Sequence, residues 1–342
     1  MSFESKSCGP VVEPEPPNCV RNCVRAPNVL RSFTGISGPR WTRTQVLGRA
    51  AAHLGTTTSF LRRRPRDSSL SRPRYPYRDM RADGHSSENV WGTLPSSAAE
   101  DLDRTGFAVI PGPFPAERCG AIADAYDAAV DSAVDADVRV GATSTRVTDF
   151  VNRGPVWDPV YVYPPLLDAA ARVVGRAFTL SSFHARTLHA GADVLDIHVD
   201  VERDSSDWPL LGFILMIDEF SARNGATRFL PGSHRWPRSP RGARLQDHGP
   251  ELVSACGPAG SLLVFNGSTW HGQGINVSGK PRRSLQGAFI PRDGRVGTDF
   301  DRRMSPSTRE RLNAVARHVL AVPDGDDPAA AENVDSVPSP SR

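Results

Sequence analysis

Long apolar runs are missing from this chain: no stretch reaches the roughly 18–20 residues of a membrane span, and no charged start leads into a hydrophobic signal core. Those absences are what a soluble, cytoplasmic protein shows. Cysteine is scarce and odd in number; Cys8, Cys19, Cys23, Cys119 and Cys256 do not make a disulfide framework. Cys19-x-x-x-Cys23 lacks the second nearby pair that a structural zinc site needs. Aromatic residues make up 7% of the chain, and no stacking platform accompanies the Arg62-Arg-Arg-Pro-Arg66 cluster. That cluster therefore reads as a solvated tail rather than a nucleic-acid contact.

What is present divides unevenly. The net charge of +3 over 342 residues combines a surplus of eight positive charges in the first 90 residues with a deficit of five in the remainder. Residues 1–92 are rich in Pro, Arg and Ser with no sustained period, and such composition cannot bury enough apolar surface to offset chain entropy. We expect a disordered basic leader there, with Met80 as an alternative start, one folded domain over residues 93–322, and a disordered acidic tail over 323–342.

Within the domain, Ser97-Ala-Ala-Glu-Asp-Leu-Asp begins like a capped helix that Gly106 ends, and residues 107–110 read as a strand closed by Pro111-Gly112. Pro115 opens a long helix with Ile122, Ala123, Tyr126, Ala129 and Val130 on one face, and a further helix runs from Pro165 to about Arg176. Eight strands are expected after it, over residues 178–188, 194–200, 210–217, 227–230, 252–255, 261–265, 270–275 and 284–290. The run Leu210-Leu-Gly-Phe-Ile-Leu-Met-Ile217 is continuously apolar, as a strand buried on both faces should be. Ser307-x-x-Glu310 is a capping box before an amphipathic helix through Leu320. Eight short strands with flanking helices point to a mainly β fold, a double-sheet jelly roll or double-stranded β-helix of cupin type.

The chemistry centres on Asp196-Ile197-His198-Val199-Asp200. Two residues apart on a strand, His198 and Asp200 share a face. By spacing alone such a pair is more often a surface contact. With His271 brought alongside from Trp270-His271-Gly272, it becomes the two-histidine, one-carboxylate set that holds ferrous iron and leaves the opposite coordination face open. His184 and His189 lack a carboxylate two residues away. Arg282 and Ser284 share a face on a later strand, where a guanidinium with a hydroxyl clamps a carboxylate. Taken alone, Arg282 reads first as an ordinary surface arginine in a basic patch with Lys280 and Arg283. Pro231-Gly-Ser-His234 reads either as pocket rim or as a plain turn.

Over about residues 96–292 the chain resembles the phytanoyl-CoA dioxygenase family of iron- and 2-oxoglutarate-dependent oxygenases. The resemblance is carried by Ile197-His198-Val199-Asp200, Asn224-Gly-Ala-Thr-Arg-Phe-Leu-Pro-Gly-Ser-His234-Arg-Trp236, Gly260-Ser-Leu-Leu-Val-Phe265, and Trp270-His-Gly-Gln-Gly-Ile-Asn276 followed by Arg282. It implies Fe(II) held by His198, Asp200 and His271. It also implies 2-oxoglutarate anchored by Arg282 with Ser284, O2 as oxidant, and succinate and CO2 as co-products. The chain departs from the family pattern at Asp196, where many relatives have glutamine, and at Gln273, where some have serine. Halogenating relatives replace the carboxylate with a small residue, so an intact Asp200 favours hydroxylation. The substrate class is a small organic molecule, a natural-product intermediate or acyl-CoA among the possibilities. A non-catalytic metal-binding sensor module and an iron-dependent isomerase or cyclase are the alternatives, and neither a membrane nor a nucleic acid is expected as partner.

Overall fold

The computed structural model describes residues 93–323 apart from 194–195, 204, 206, 238–239 and 241–244, together with the strand Cys19–Val20; for 245–247 only the backbone is described. The expectations for the leader and the acidic tail otherwise lie outside the described residues.

The strands, in chain order, are β1 (Cys19–Val20), β2 (Phe107–Pro111), β3 (Val138–Val140), β4 (Ser144–Val147), β5 (Phe178–Leu188) and β6 (Leu211–Met216). They continue with β7 (Thr227–Phe229), β8 (Val253–Ala255), β9 (Ser261–Asn266), β10 (His271–Gln273) and β11 (Arg282–Pro291). Seven form one sheet in the order β2-β9-β6-β11-β5-β4-β3, and four form a second in the order β1-β8-β7-β10. Apart from the parallel β1–β8 pair, the ladders are antiparallel. This is the expected double-stranded β-helix.

Two cores explain the run at β6, which is buried at every position. Phe213 and Leu215 enter the larger core, where the seven-stranded sheet meets the helices α1 (Ser96–Thr105), α2 (Cys119–Asp131), α3 (Asp158–Tyr161) and α4 (Pro164–Val174). Ile214 and Met216 face the other way, into a core between the sheets with Phe220, Phe229, Ala255 and Phe265. Each such side chain contributes roughly 1.5–3 kcal/mol of burial free energy, and alternation within β6 divides it between two cores. Close packing over β6 requires a glycine: a Cβ on Gly212 would lie 2.2 Å from the Phe265 ring.

The helices depart from expectation mainly at their ends. α1 starts directly after Pro95 with no side-chain cap, and it ends on Gly106 at φ 91°, where the amide donates to the Leu102 carbonyl. A 3-10 turn, Ala116–Arg118, precedes α2. The single helix expected from Ser307 through Leu320 is two pieces, α6 (Pro306–Arg311) and α7 (Ala314–Leu320), and a short helix, α5 (Phe300–Arg303), precedes them. Ser305, not Ser307, caps α6 by accepting from the Thr308 amide, and Asn313 caps α7 by accepting from the Ala316 amide. Asn313 is a strong helix initiator, so the chain restarts there instead of continuing.

Residues 196–200 do not form the expected strand, and 194–195 lie outside the described residues. Their pairing reduces to one bridge, His198 to His271, because β10 is only three residues long and its other edge is taken by β7. The β3–β4 hairpin was not anticipated; its strands, Val138–Val140 and Ser144–Val147, are too short to show a period. Cys119 is a free thiol and Cys256 is disulfide-bonded, a pairing that the odd cysteine count did not suggest. Among the described residues, no helix is long and apolar enough to cross a membrane.

Candidate metal centre

His198 and His271 are locked together through their backbones: the His198 amide donates to the His271 carbonyl at 2.9 Å and the His271 amide to the His198 carbonyl at 3.0 Å. Directly opposed residues on antiparallel segments present their side chains on one face. The two imidazoles accordingly lie 4.4 Å apart, centroid to centroid. The Asp200 amide donates to the Gly267 carbonyl at 2.8 Å, which turns its carboxylate back toward them. Asp200 Oδ1 is 3.8 Å from His198 Nε2 and 3.6 Å from His271 Nε2.

These distances suit a metal. Ligand atoms about 2.1 Å from one ion and at right angles around it are about 3 Å apart, so a small inward rotation of each side chain closes the set. The three ligand atoms lie within 4.8 Å of one another, and among the described residues this is the one His/Cys/Asp/Glu cluster so arranged. Both rings are also held in the right tautomer. His271 Nδ1 donates to the Thr269 carbonyl at 2.8 Å and His198 Nδ1 to the Asp196 carbonyl at 3.2 Å, which leaves each Nε2 lone pair facing the cluster. Asp196 thus serves through its backbone carbonyl.

His271 is buried, stacked on Phe229 at 5.4 Å and edge-on to Phe265 at 5.0 Å. Burial pulls its pKa below the ordinary imidazole value, against the opposing pull of Asp200, and keeps the ring in its neutral, ligating form. His198 and Asp200 are more open, with side chains 49% and 35% exposed, so the cluster faces solvent on their side.

Arg282 is buried, 1% exposed, at the start of β11. Its Nη1 donates to the Gly225 carbonyl at 2.7 Å and its guanidinium lies 3.7 Å above the Phe220 ring. Nε is buried without a partner, and among the described residues Arg282 forms no ion pair. Burial first, and Arg186 second, push its pKa down to about 9, which still leaves it charged at neutral pH. A buried cation with an orphaned donor fits an anionic ligand. Arg283, on the opposite face, instead pairs with Asp218 at 2.6 Å and Asp127 at 2.7 Å. The basic-patch alternative therefore fits Arg283 and not Arg282. Ser284 is buried too, but its hydroxyl donates to the Arg186 carbonyl at 3.0 Å, so it can also serve a carboxylate only by giving up that bond.

Arg186, near the cluster, escaped the sequence, and His184 was set aside there for want of a carboxylate two residues away. Arg186 and His184 project from β5, and both act electrostatically on Asp200 or feel its charge. Burial, then Arg146 and Arg186, push the His184 pKa down to about 4, and its Nε2 is buried without a partner. The available signal was alternation, since His184 and Arg186 are polar positions between Phe183, Ala185 and Leu188. Gln273 ties the centre together, donating to the Asp193 carbonyl at 2.8 Å and accepting from Arg186. The Pro231–His234 stretch does not reach the cluster: His234 Nε2 bonds the Asp103 carbonyl at 3.2 Å beside α1. Ser233 contributes indirectly, with its hydroxyl accepting from the Trp270 amide at 2.8 Å and so steadying the entry to β10.

A double-stranded β-helix with a two-histidine, one-carboxylate cluster between its sheets is the architecture of non-haem metal oxygenases. The profile of the family Phytanoyl-CoA dioxygenase (PhyH) matches residues 102–284, just over half of the chain. The chain belongs to that family. Among known relatives, Dioxygenase af480 of Aspergillus fumigatus is 26% identical over 172 residues, which are 48% of this chain and 55% of that protein. Dioxygenase trt7 of Aspergillus terreus is 31% identical over 164 residues, 44% of this chain and 56% of that protein. The chain thus spans about half the length of these relatives. The crystal structure of EctD from S. alaskensis with bound Fe shares the fold, with a TM-score of 0.51 and 20% identity over 62% of this chain and 82% of that one.

Proposed function

We propose that this chain is an Fe(II)- and 2-oxoglutarate-dependent dioxygenase that oxidises a small organic molecule. His198, Asp200 and His271 would hold the iron, and Arg282 would hold the distal carboxylate of 2-oxoglutarate. The observation that carries the proposal is Arg282, a fully buried guanidinium with an unpartnered Nε and no ion pair among the described residues. A module that only held a metal would have no use for a buried carboxylate receptor beside it. Family membership and the dioxygenase names of the relatives support the same activity.

When bound, iron with 2-oxoglutarate and O2 supplies an oxidant able to take hydrogen from an unactivated C–H bond, with release of succinate and CO2. The chain's own part is binding and orientation. The Nδ1 bonds of His198 and His271 fix the donor lone pairs, and the intact Asp200 would join them in holding the iron. Phe229 and Phe265 exclude water from the His271 side, where low polarity strengthens the charge interactions of the site.

Anaerobic addition of ferrous iron and 2-oxoglutarate to the folded chain tests this. A weak visible charge-transfer band of the chelate is the expected result; a folded protein that gives none with both components present contradicts it.

A further inference from the structure

Alternation along β11 puts Arg282, Ser284 and Gln286 on one face, while Leu285 and Phe289 enter the larger core behind the sheet. Gln286 stands between two opposed residues: Ile214 of β6, which belongs to the core between the sheets, and His184 of β5. Opposed residues share a face, so the Gln286 side chain stands on the side of the sheet that looks toward the metal centre. Asp200 lies close enough to this row for its charge to act on His184. Gln286 is half-buried, and its carboxamide makes no hydrogen bond among the described residues, yet neither Oε1 nor Nε2 is sealed from solvent. Its opposed neighbours carry no charge: Ile214 is apolar, and burial keeps His184 neutral. The next opposed pair, Ser182 and Ala288, is small and uncharged.

The co-substrate does not account for this carboxamide. On the assignment proposed above, on which this inference rests, 2-oxoglutarate is anchored at Arg282, with Ser284, Arg186 and Arg146 at the same end of the sheet. Gln286 lies four residues beyond Arg282, about 13 Å along an antiparallel strand, and an extended five-carbon diacid is shorter than that. A carboxamide that gives up its water to a bound molecule has both a donor and an acceptor to satisfy again. A carboxylate offers only acceptors and an ammonium only donors, whereas an amide offers one of each in the matching order. We propose that Gln286 determines substrate specificity, and that the substrate carries a neutral carboxamide or lactam. Its N–H donates to Gln286 Oε1 and its carbonyl accepts from Gln286 Nε2.

The test loads the full chain anaerobically with ferrous iron and 2-oxoglutarate and titrates it calorimetrically with three probes. These are benzamide, acetophenone, which lacks the N–H, and benzamidine, the cationic counterpart. Benzamide should bind saturably and about fivefold or more tighter than either, the size of one hydrogen bond. Gln286→Leu should weaken benzamide about tenfold and bring it level with acetophenone. Gln286→Glu, which presents only acceptors, should reverse the order so that benzamidine binds tighter than benzamide, a gain that misfolding does not produce. Both variants should keep the chelate band, with 2-oxoglutarate affinity changed less than threefold. The proposal is overturned if benzamide does not saturate, if it binds no tighter than acetophenone, or if either variant retains the original order of preference. It is also overturned if Gln286→Leu weakens 2-oxoglutarate as much as benzamide, because Gln286 would then serve the co-substrate. Absence of the chelate band from the unaltered chain would instead defeat the dioxygenase assignment, and the same probes titrated into the metal-free chain would still read the amide preference.

Discussion

Replacing Arg282 with alanine removes the one buried cation available for a co-substrate carboxylate on the inner face of β11. Truncating one partner of a buried, hydrogen-bonded charge pair costs about 2–5 kcal/mol, and each 1.4 kcal/mol is about tenfold in affinity. Arg282→Ala should therefore weaken 2-oxoglutarate by about 30-fold or more while leaving iron affinity nearly unchanged. The assay is titration of the visible chelate band with 2-oxoglutarate at fixed ferrous iron. The variant also strands the Gly225 carbonyl, at a stability cost of about 1–3 kcal/mol. Arg282→Lys, which keeps a charge in the same space, guards against confusing misfolding with lost affinity and should recover affinity only in part, because an ammonium lacks the planar fork. Arg283→Ala is the control on the opposite face: it loses ion pairs to Asp218 and Asp127 and should leave 2-oxoglutarate affinity within threefold. An Arg282→Ala protein that binds 2-oxoglutarate within threefold of the unaltered chain would refute the reasoning.

Other perturbations follow from the same geometry. His184 has a folded pKa of about 4 against an ordinary value of 6.5, so between those pH values the unfolded chain binds more protons and stability falls as pH drops. The loss in the metal-free chain should approach about 3 kcal/mol near pH 4, and urea melts of His184→Gln should show a flatter pH dependence. Asp200→Ala should lower ferrous iron affinity by more than the 10–100-fold typical of an outer partner, measured calorimetrically, with the fold intact by circular dichroism. Gly212→Ala should destabilise by about 1–3 kcal/mol in denaturant melts, because its Cβ would meet the Phe265 ring. Gly225→Ala combines a left-handed φ of 80° with a Cβ 2.4 Å from Leu188 and displaces the carbonyl that holds Arg282, so both stability and 2-oxoglutarate affinity should fall.

The parts of the molecule legible in the sequence are those whose signal is local. β5 runs from Phe178 to Leu188 as its apolar pattern predicts, and the unbroken run at β6 announces burial on both faces. His198, Asp200 and His271 were legible through their order along the chain. The bridge that unites His198 and His271 was not, because a one-residue contact leaves no period. The β3–β4 hairpin was hidden by its brevity, and the break before α7 by an apolar spacing that runs through the Asn313 cap without interruption. Arg186, Arg146 and His184 were passed over for a different reason. Their surroundings depend on which residues face them across β4, β5 and β11, and strand register is a tertiary property that spacing within one segment does not reveal. The contrast between Arg282 and Arg283 is similar, since only the fold shows which arginine has Asp218 and Asp127 beside it.

The most direct measurement of the central claim is a crystal structure of the chain soaked anaerobically with ferrous iron and 2-oxoglutarate. Anomalous density for one iron within about 2.0–2.2 Å of His198 Nε2, an Asp200 oxygen and His271 Nε2, with the far carboxylate of 2-oxoglutarate on Arg282, is the predicted result. Iron bound elsewhere, or 2-oxoglutarate seated away from Arg282, would contradict it.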